Sequence, residues 1–116
     1  MKVFWLSKHM LTKEQENILL QLHPGAEIYQ ENVILEEIYS LARYIQGKEE
    51  GSMVYCVAPV EQMLTAQADG LVFGFFTMKP KQGRSSGFVV DKVYQVLSTS
   101  SDYANPGGPY IVWTSE

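Results

Sequence analysis

The chain has 116 residues, of which 46% are hydrophobic and 19% are charged, and this is the composition of one small globular domain. Its net charge of −4 argues against a surface that binds duplex nucleic acid or an anionic membrane, and no apolar run is long enough to span a bilayer. Residues 1–10 have too short an apolar core for a signal peptide, and the single cysteine, Cys56, has no disulfide partner, so we predict a cytoplasmic protein.

The beginning of the chain is typical of a strand followed by a helix. Residues 3–6 are apolar strand formers, and the polar residues Ser7, Lys8 and His9 follow as an exit turn. Thr12 and Gln15 have the spacing of a capping box. The pattern predicts a helix over residues 13–23, which ends where Pro24-Gly25 interrupts it.

Two more strand-and-helix pairs are predicted in the middle of the chain. A strand over 26–30 precedes an amphipathic helix that Asn32 can cap and Gly47 ends. A third strand over 53–57 is continuously apolar and includes Cys56, which we expect to be a buried core thiol. Pro59 can open a third helix, which ends at Asp69-Gly70.

The pattern changes after a fourth apolar strand over 71–78. The polar stretch 79–87 has no room for a helix before the next strand over 88–97, so we predict a long hairpin that is antiparallel and lies at the sheet edge. The remainder, residues 98–116, is a polar loop followed by a short terminal strand or tail.

Three successive βα units predict a single Rossmann-like α/β domain over residues 1–97, with a parallel core sheet and an antiparallel C-terminal hairpin. Ligands bind such sheets at the carboxyl ends of the parallel strands, so the exit turn, Pro59 and the start of the hairpin at Lys79 should share one rim. No glycine motif for a dinucleotide or a nucleoside triphosphate occurs, and no cluster of metal ligands, so we predict neither a cofactor nor a metal.

Two groups of residues on this rim are candidates for function. His9 lies before the amino end of the first helix, where backbone N–H groups can hold a phosphate and an imidazole can serve in acid–base chemistry. The alternative is that His9 has only a structural role and hydrogen-bonds the turn. Lys79, Lys81 and Arg84 form a basic loop in a stretch without acidic residues, and this loop is either a phosphate-binding patch or a solubilising edge.

Residues 6–15 have the sequence LSKHMLTKEQ. They are similar to a strand followed by the motif Ser/Thr-x-His-x-Leu/Ala-Thr-x-Glu-Gln, which is found in one group of small proteins. These are the CARF-like (CRISPR-associated Rossmann fold) ring nucleases and related uncharacterised proteins of phages and mobile elements. The order of elements agrees over about residues 1–97. Two departures are the absence of glycines at 56–59, where such proteins often have them, and the segment from Ser98 onward, which has no counterpart.

The resemblance implies that the chain binds a cyclic oligoadenylate second messenger of type III CRISPR antiviral defence, or counter-defence, across a homodimer. It further implies metal-independent cleavage, in which a ribose 2′-hydroxyl attacks the adjacent phosphate. Ser7 and His9 are the expected catalytic residues. The expected ligand-binding residues are Lys8, Thr12, Pro59, Lys79, Lys81 and Arg84. The alternative is a non-enzymatic phage or mobile-element protein that inhibits a host protein through exposed aromatic residues such as Tyr103, Tyr110 and Trp113, although packing in the core is the other role predicted for Trp113.

Overall fold

A computed structural model of the chain describes residues 1–7, 9–31, 41–57, 63, 71–83, 87–97 and 108–115. Within these ranges the chain forms a strand β1, a helix α1, a strand β2, a helix α2 and then four further strands, β3 to β6. Their bounds are Lys2–Leu6 (β1), Lys13–Leu22 (α1), Glu27–Glu31 (β2), Leu41–Gln46 (α2), Met53–Cys56 (β3), Phe73–Pro80 (β4), Phe88–Val96 (β5) and Tyr110–Thr114 (β6).

The strands form one six-stranded mixed sheet in the order β2-β1-β3-β4-β5-β6. The first four strands in this order run parallel to their neighbours, and β4–β5 and β5–β6 are antiparallel pairs. The predicted α/β class, the parallel strands and the antiparallel hairpin are therefore confirmed. The predicted position of the hairpin at the sheet edge is wrong, because β6 pairs with β5 and is itself the edge strand.

The strand β6 joins the sheet for a simple physical reason. If β5 were the edge strand, a row of its backbone N–H and C=O groups would be unpaired. Residues 110–114 are β-branched and aromatic, and such residues favour a strand. Of the two alternatives for this segment, a terminal strand and a tail, the structure has the strand. The register shifts once along β4–β5, between Thr77 and Met78, and once along β5–β6, between Val93 and Tyr94.

The predicted capping box of the first helix is confirmed. The Gln15 backbone N–H donates to Thr12 Oγ1 over 3.1 Å, and the Thr12 backbone N–H donates to Gln15 Oε1 over 2.9 Å. Of the second predicted helix, the described part is α2, while residues 32–40 lie outside the described ranges. The third predicted helix also lies outside them apart from Met63, which is helical.

The core has two layers because successive strand side chains point to opposite faces of the sheet. On one face, Trp5 and Tyr55 pack with α1, and on the other, Leu6 and Cys56 pack with α2. Cys56 is fully buried, as predicted, and burial raises the pKa of its thiol to about 12, so it remains protonated at neutral pH. Among the described residues, no helix is both long and apolar enough to cross a membrane.

The Tyr55 ring crosses β4 at a glycine. Gly74 is the residue opposite Tyr55, and without a side chain there the ring lies across β4 towards Gln95 of β5. The Gln95 carboxamide donates to the Tyr55 hydroxyl over 2.7 Å, and His23 Nε2 lies 2.7 Å from the same oxygen on the other side. Since the hydroxyl already accepts one hydrogen bond, its own proton is best donated to Nε2 of a neutral His23.

The position of His23 makes stability depend on pH. Burial lowers the pKa of His23 below its ordinary value of 6.5, so the unfolded chain binds a proton at this residue at a higher pH than the folded chain. We therefore expect the free energy of unfolding to fall as pH is lowered from about 6.5 towards 5, above the range in which most carboxylates titrate. Urea denaturation at a series of pH values measures this.

His23→Gln is the control for that experiment. Its side-chain oxygen can still accept from the Tyr55 hydroxyl, but glutamine does not titrate. The pH-dependent loss of stability between about 6.5 and 5 should be smaller in this variant, and an unchanged loss would assign the effect to other groups.

Candidate functional site

A pocket of about 380 Å³ lies at the carboxyl ends of β1 and β3, next to the amino end of α1. β1 lies between β2 and β3 in the sheet, so the connections that lead to these two strands go to opposite sides of β1. In open α/β sheets, such a change of direction leaves a crevice beyond the strand ends, and ligands bind there. The location of the pocket therefore follows from the strand order.

Nearly all of the exposed surface of the pocket is apolar, and four polar residues border it. These are Ser7, His9, Thr12 and Gln15, which come from the end of β1, the turn after it and the first turn of α1. Ser7 is buried, and its Oγ accepts the backbone N–H of His9 over 3.1 Å, which holds the turn in place. His9 itself is exposed. The sequence-predicted residues Ser7, His9 and Thr12 are thus brought together at one site.

The rest of the wall is apolar, and much of it is open to solvent. Trp5 is buried beneath the pocket, whereas Met10, Val57 and Phe88 are 75%, 44% and 66% exposed. Large apolar side chains that are both exposed and grouped around one pocket are typical of a binding site. We conclude that this pocket is the best candidate site among the described residues.

Phe88 reaches the pocket because β5 is tied to α1. Val90 precedes the part of β5 that pairs with β6. Its backbone N–H donates to the Glu14 carboxylate over 3.0 Å. Across the hairpin, Val90 is paired with Met78, another pocket residue, just beyond the register shift in β4. The shift and the Glu14 contact together position the start of β5 against the first turn of α1.

The pocket is nearly uncharged. Its described lining residues include neither lysine nor arginine, and His9 is the only one of them with an ionisable side chain. Glu14 and Glu16 lie in the first turn of α1 and add negative charge to that end of the helix. The electrostatics of the site therefore favour a neutral group inside the pocket and oppose a highly charged one.

The basic residues predicted for the site do not line this pocket where the structure describes them. Lys79 Nζ donates to Ser115 Oγ over 2.6 Å and lies 3.8 Å from the Asp91 carboxylate. Lys81 is exposed near the end of the hairpin. Lys8, Pro59 and Arg84 lie outside the described residues, so their predicted roles in ligand binding stay predictions.

Sequence reasoning did not identify several pocket residues as functional. Gln15 was assigned only to the helix cap, and Trp5 was only part of a strand. Met10, Met78 and Phe88 had no signal of their own, because apolar residues at strand ends look the same whether they face a core or a pocket. The one available clue was that Phe88 immediately follows a polar loop, where a large aromatic residue is unusual.

A second hollow, of about 280 Å³, lies at the amino ends of β1 and β2. Its described lining includes three glutamates and one lysine, and that lysine, Lys2, already donates to the Glu49 carboxylate over 2.8 Å. Among the described residues no group of three or more His, Cys, Asp or Glu side chains could hold a metal ion. This hollow is therefore a weaker candidate than the pocket at the carboxyl ends.

No protein-family model, no curated protein and no solved structure matches this chain.

Proposed function

We propose that this domain binds a cyclic oligoadenylate-type nucleotide in the pocket at the carboxyl ends of β1 and β3. The observation that carries the proposal is the exposed apolar and aromatic surface of the pocket, which hydroxyl, imidazole and carboxamide side chains border. A nucleoside has a flat base that can contact such a surface and a polar sugar that the bordering groups can bond. The resemblance of residues 6–15 to the CARF-like ring nucleases supports an oligoadenylate as the nucleotide.

We also infer that the domain is Rossmann-like and built from three βα units. The parallel strand order β2-β1-β3-β4 supports this, because it places the second unit on the opposite side of β1 from the first. Right-handed crossovers would then put the helices on the two faces of the sheet. The two core layers, one with α1 and one with α2, agree with that arrangement.

The size of the pocket supports a homodimer. A volume of about 380 Å³ is near the lower end of the range for ligand sites and has room for one nucleoside. A ring of several adenylates needs further contacts, which a second copy of the chain would supply. Equilibrium sedimentation with and without the ligand would report the dimer.

The phosphates of such a ligand would lie at the rim of the pocket. The Gln15 and Glu16 backbone N–H groups already donate to Thr12, so the N–H groups of Lys13 and Glu14 and the exposed His9 are the donors there. Glu14 and Glu16 oppose phosphate charge. Binding should therefore depend mainly on base contacts. We expect less than about a tenfold loss of affinity between low and physiological salt, where a site with many phosphate contacts loses about a thousandfold or more.

Calorimetric titration with cyclic tri-, tetra- and hexa-adenylate tests the proposal directly. Binding of at least one ring size supports it, and binding of none contradicts it. Chromatography of the ligand after incubation then separates a nuclease from a protein that only sequesters the messenger.

His9→Ala tests the predicted catalytic role. In the proposed cleavage the 2′-oxygen attacks phosphorus and gives up its proton to a base, the P–O5′ bond breaks, and the 5′-oxygen takes up a proton. If His9 transfers either proton, the variant should cleave about a hundredfold more slowly, while its affinity changes much less. The single-turnover rate and the dissociation constant are the two measurements.

Asn17→Ala is the control, since Asn17 is exposed on α1 and does not line the pocket. It should cleave like the wild type. Equal cleavage rates for His9→Ala and the wild type would show that His9 has only the structural role of holding the turn.

A second candidate function is inhibition of a host protein. The observation that favours it is the apolar outer strand β6, on which Tyr110 and Ile111 are 43% and 56% exposed. Tyr103, the third aromatic residue considered for this role besides Tyr110 and Trp113, lies outside the described residues. In this case Tyr110→Ala and Ile111→Ser should abolish the inhibition while His9→Ala leaves it unchanged.

A further inference from the structure

Gln15 has hydrogen-bonding capacity that the fold does not use. Its Oε1 accepts the Thr12 backbone N–H, but its Nε2 donates only to the thioether sulfur of Met78, over 3.7 Å, among the described residues. A thioether is a weak acceptor, and the carboxamide has a second N–H and a second oxygen lone pair. The side chain is only 6% exposed and lines the pocket, so a buried strong donor lies at the ligand site.

Phe88 lies at the same pocket with most of its ring exposed. The ring is 66% exposed, although the Glu14–Val90 hydrogen bond anchors the backbone two residues further along. An anchored aromatic ring at the mouth of a pocket is a stacking surface for a flat ligand, because stacking on an aromatic side chain requires only a planar partner. Met10, which is 75% exposed, is a flexible apolar side chain at the same pocket.

We propose that Gln15 and Phe88 form an adenine-binding subsite, in which the base stacks on Phe88 and the Gln15 carboxamide bonds its polar edge. The inference rests on the proposed function and adds which part of the ligand the pocket recognises. A carboxamide offers one donor and one acceptor side by side, which complements the amino group and adjacent ring nitrogen of adenine. Guanine presents two acceptors on its N7 edge and mismatches this pair there, whereas its carbonyl and N1–H would match a carboxamide on the other edge. The uncharged lining also suits a base better than a phosphate.

Gln15→Glu removes the donor and also adds a negative charge, and the base analogues described below separate these two effects. Glutamate keeps the oxygen that caps Thr12 and is itself a standard capping-box residue, so the helix should fold normally. The variant loses the N–H donor and should bind the tightest cyclic oligoadenylate about tenfold more weakly than the wild type. Gln21→Glu is the matched control, because it makes the same substitution at an exposed position of α1 and should leave affinity unchanged.

Deaza analogues identify the contact with the ligand. Rings that contain 1-deaza- or 7-deazaadenine lack one of the two nitrogens beside the amino group. One of the analogues should bind the wild type about tenfold more weakly than the parent ring and show no such loss with Gln15→Glu. Equal losses in both proteins for both analogues would overturn the role of Gln15.

Phe88→Ala and Phe88→Tyr test the stacking surface. Alanine should lower affinity about tenfold or more, and tyrosine should retain it because the ring remains. Leu97→Ala is the control at another exposed apolar residue, outside the pocket. If the wild type binds no cyclic oligoadenylate, the proposed function fails and this inference with it. If the wild type binds and the Gln15 and Phe88 variants bind equally well, only the adenine subsite is overturned.

Discussion

Gly74→Ala should destabilise the fold by about 3 kcal/mol, which is a large part of the stability of a domain of this size. A Cβ at this position would lie 2.2 Å from Tyr55 Cε1 and 2.4 Å from Cδ1. The ring cannot move aside, because Tyr55 is fully buried and packs edge-on against Phe76 and His23. The backbone of β3 or β4 would have to shift instead. The midpoint of urea denaturation measures the effect.

Gly47→Ala is the matched control for this substitution. A Cβ at Gly47 meets its nearest atoms at 3.5 Å, which is ordinary contact, so the change in stability should be below about 1 kcal/mol. The clash can also be tested in a background without the ring. Gly74→Ala should cost little when Tyr55 is already valine, and an equal cost in both backgrounds would show that the Tyr55 ring is not the cause.

Tyr55→Phe should destabilise the protein by about 2 kcal/mol although it removes only one oxygen atom. The hydroxyl is the shared partner of Gln95 Nε2 and His23 Nε2, each 2.7 Å away. Its removal leaves a donor on Gln95 and an acceptor on His23 unpaired in a partly buried region, and an unpaired polar group costs more there than a hydrogen bond contributes. Thermal and urea denaturation both report the change.

Tyr29→Phe makes the same chemical change at the surface. The Tyr29 hydroxyl also donates a hydrogen bond, to Glu27 over 2.7 Å, but the pair is exposed and water can replace it. The expected loss is below about 0.5 kcal/mol. A similar loss for both variants would mean that the Tyr55 hydroxyl is no more important than an exposed one.

The sequence was sufficient for most of the secondary structure. The capping box at Thr12 and Gln15 and the stop at Pro24-Gly25 predicted α1 to within one residue of its observed end at Leu22. The buried position of Cys56 followed from its continuous apolar strand. These predictions succeeded because helix caps and strand patterns depend on neighbours within a few residues, which the sequence lists in order.

The site was predictable only in part. The exit turn after β1 was identified because the carboxyl ends of parallel strands are where ligands bind, and Ser7, His9 and Thr12 do lie at one pocket. Lys79 was expected at the same rim from its place after the fourth strand. It instead contacts Ser115 and lies near Asp91, and both contacts depend on where β6 and the register shift place those residues.

The alternation of apolar strands with helices was enough to predict the α/β class and the parallel pairing that the structure has, because these follow from patterns local in the chain. It also predicted a rim of strand ends as the candidate site. The pairing of Tyr55 with Gly74 and of the hydroxyl with His23 and Gln95 joins residues from β3, β4, β5 and the end of α1. The pocket likewise combines the start of β5 with the first turn of α1. Such contacts depend on register and sheet order, and only the folded chain decides which distant residues come within bonding distance.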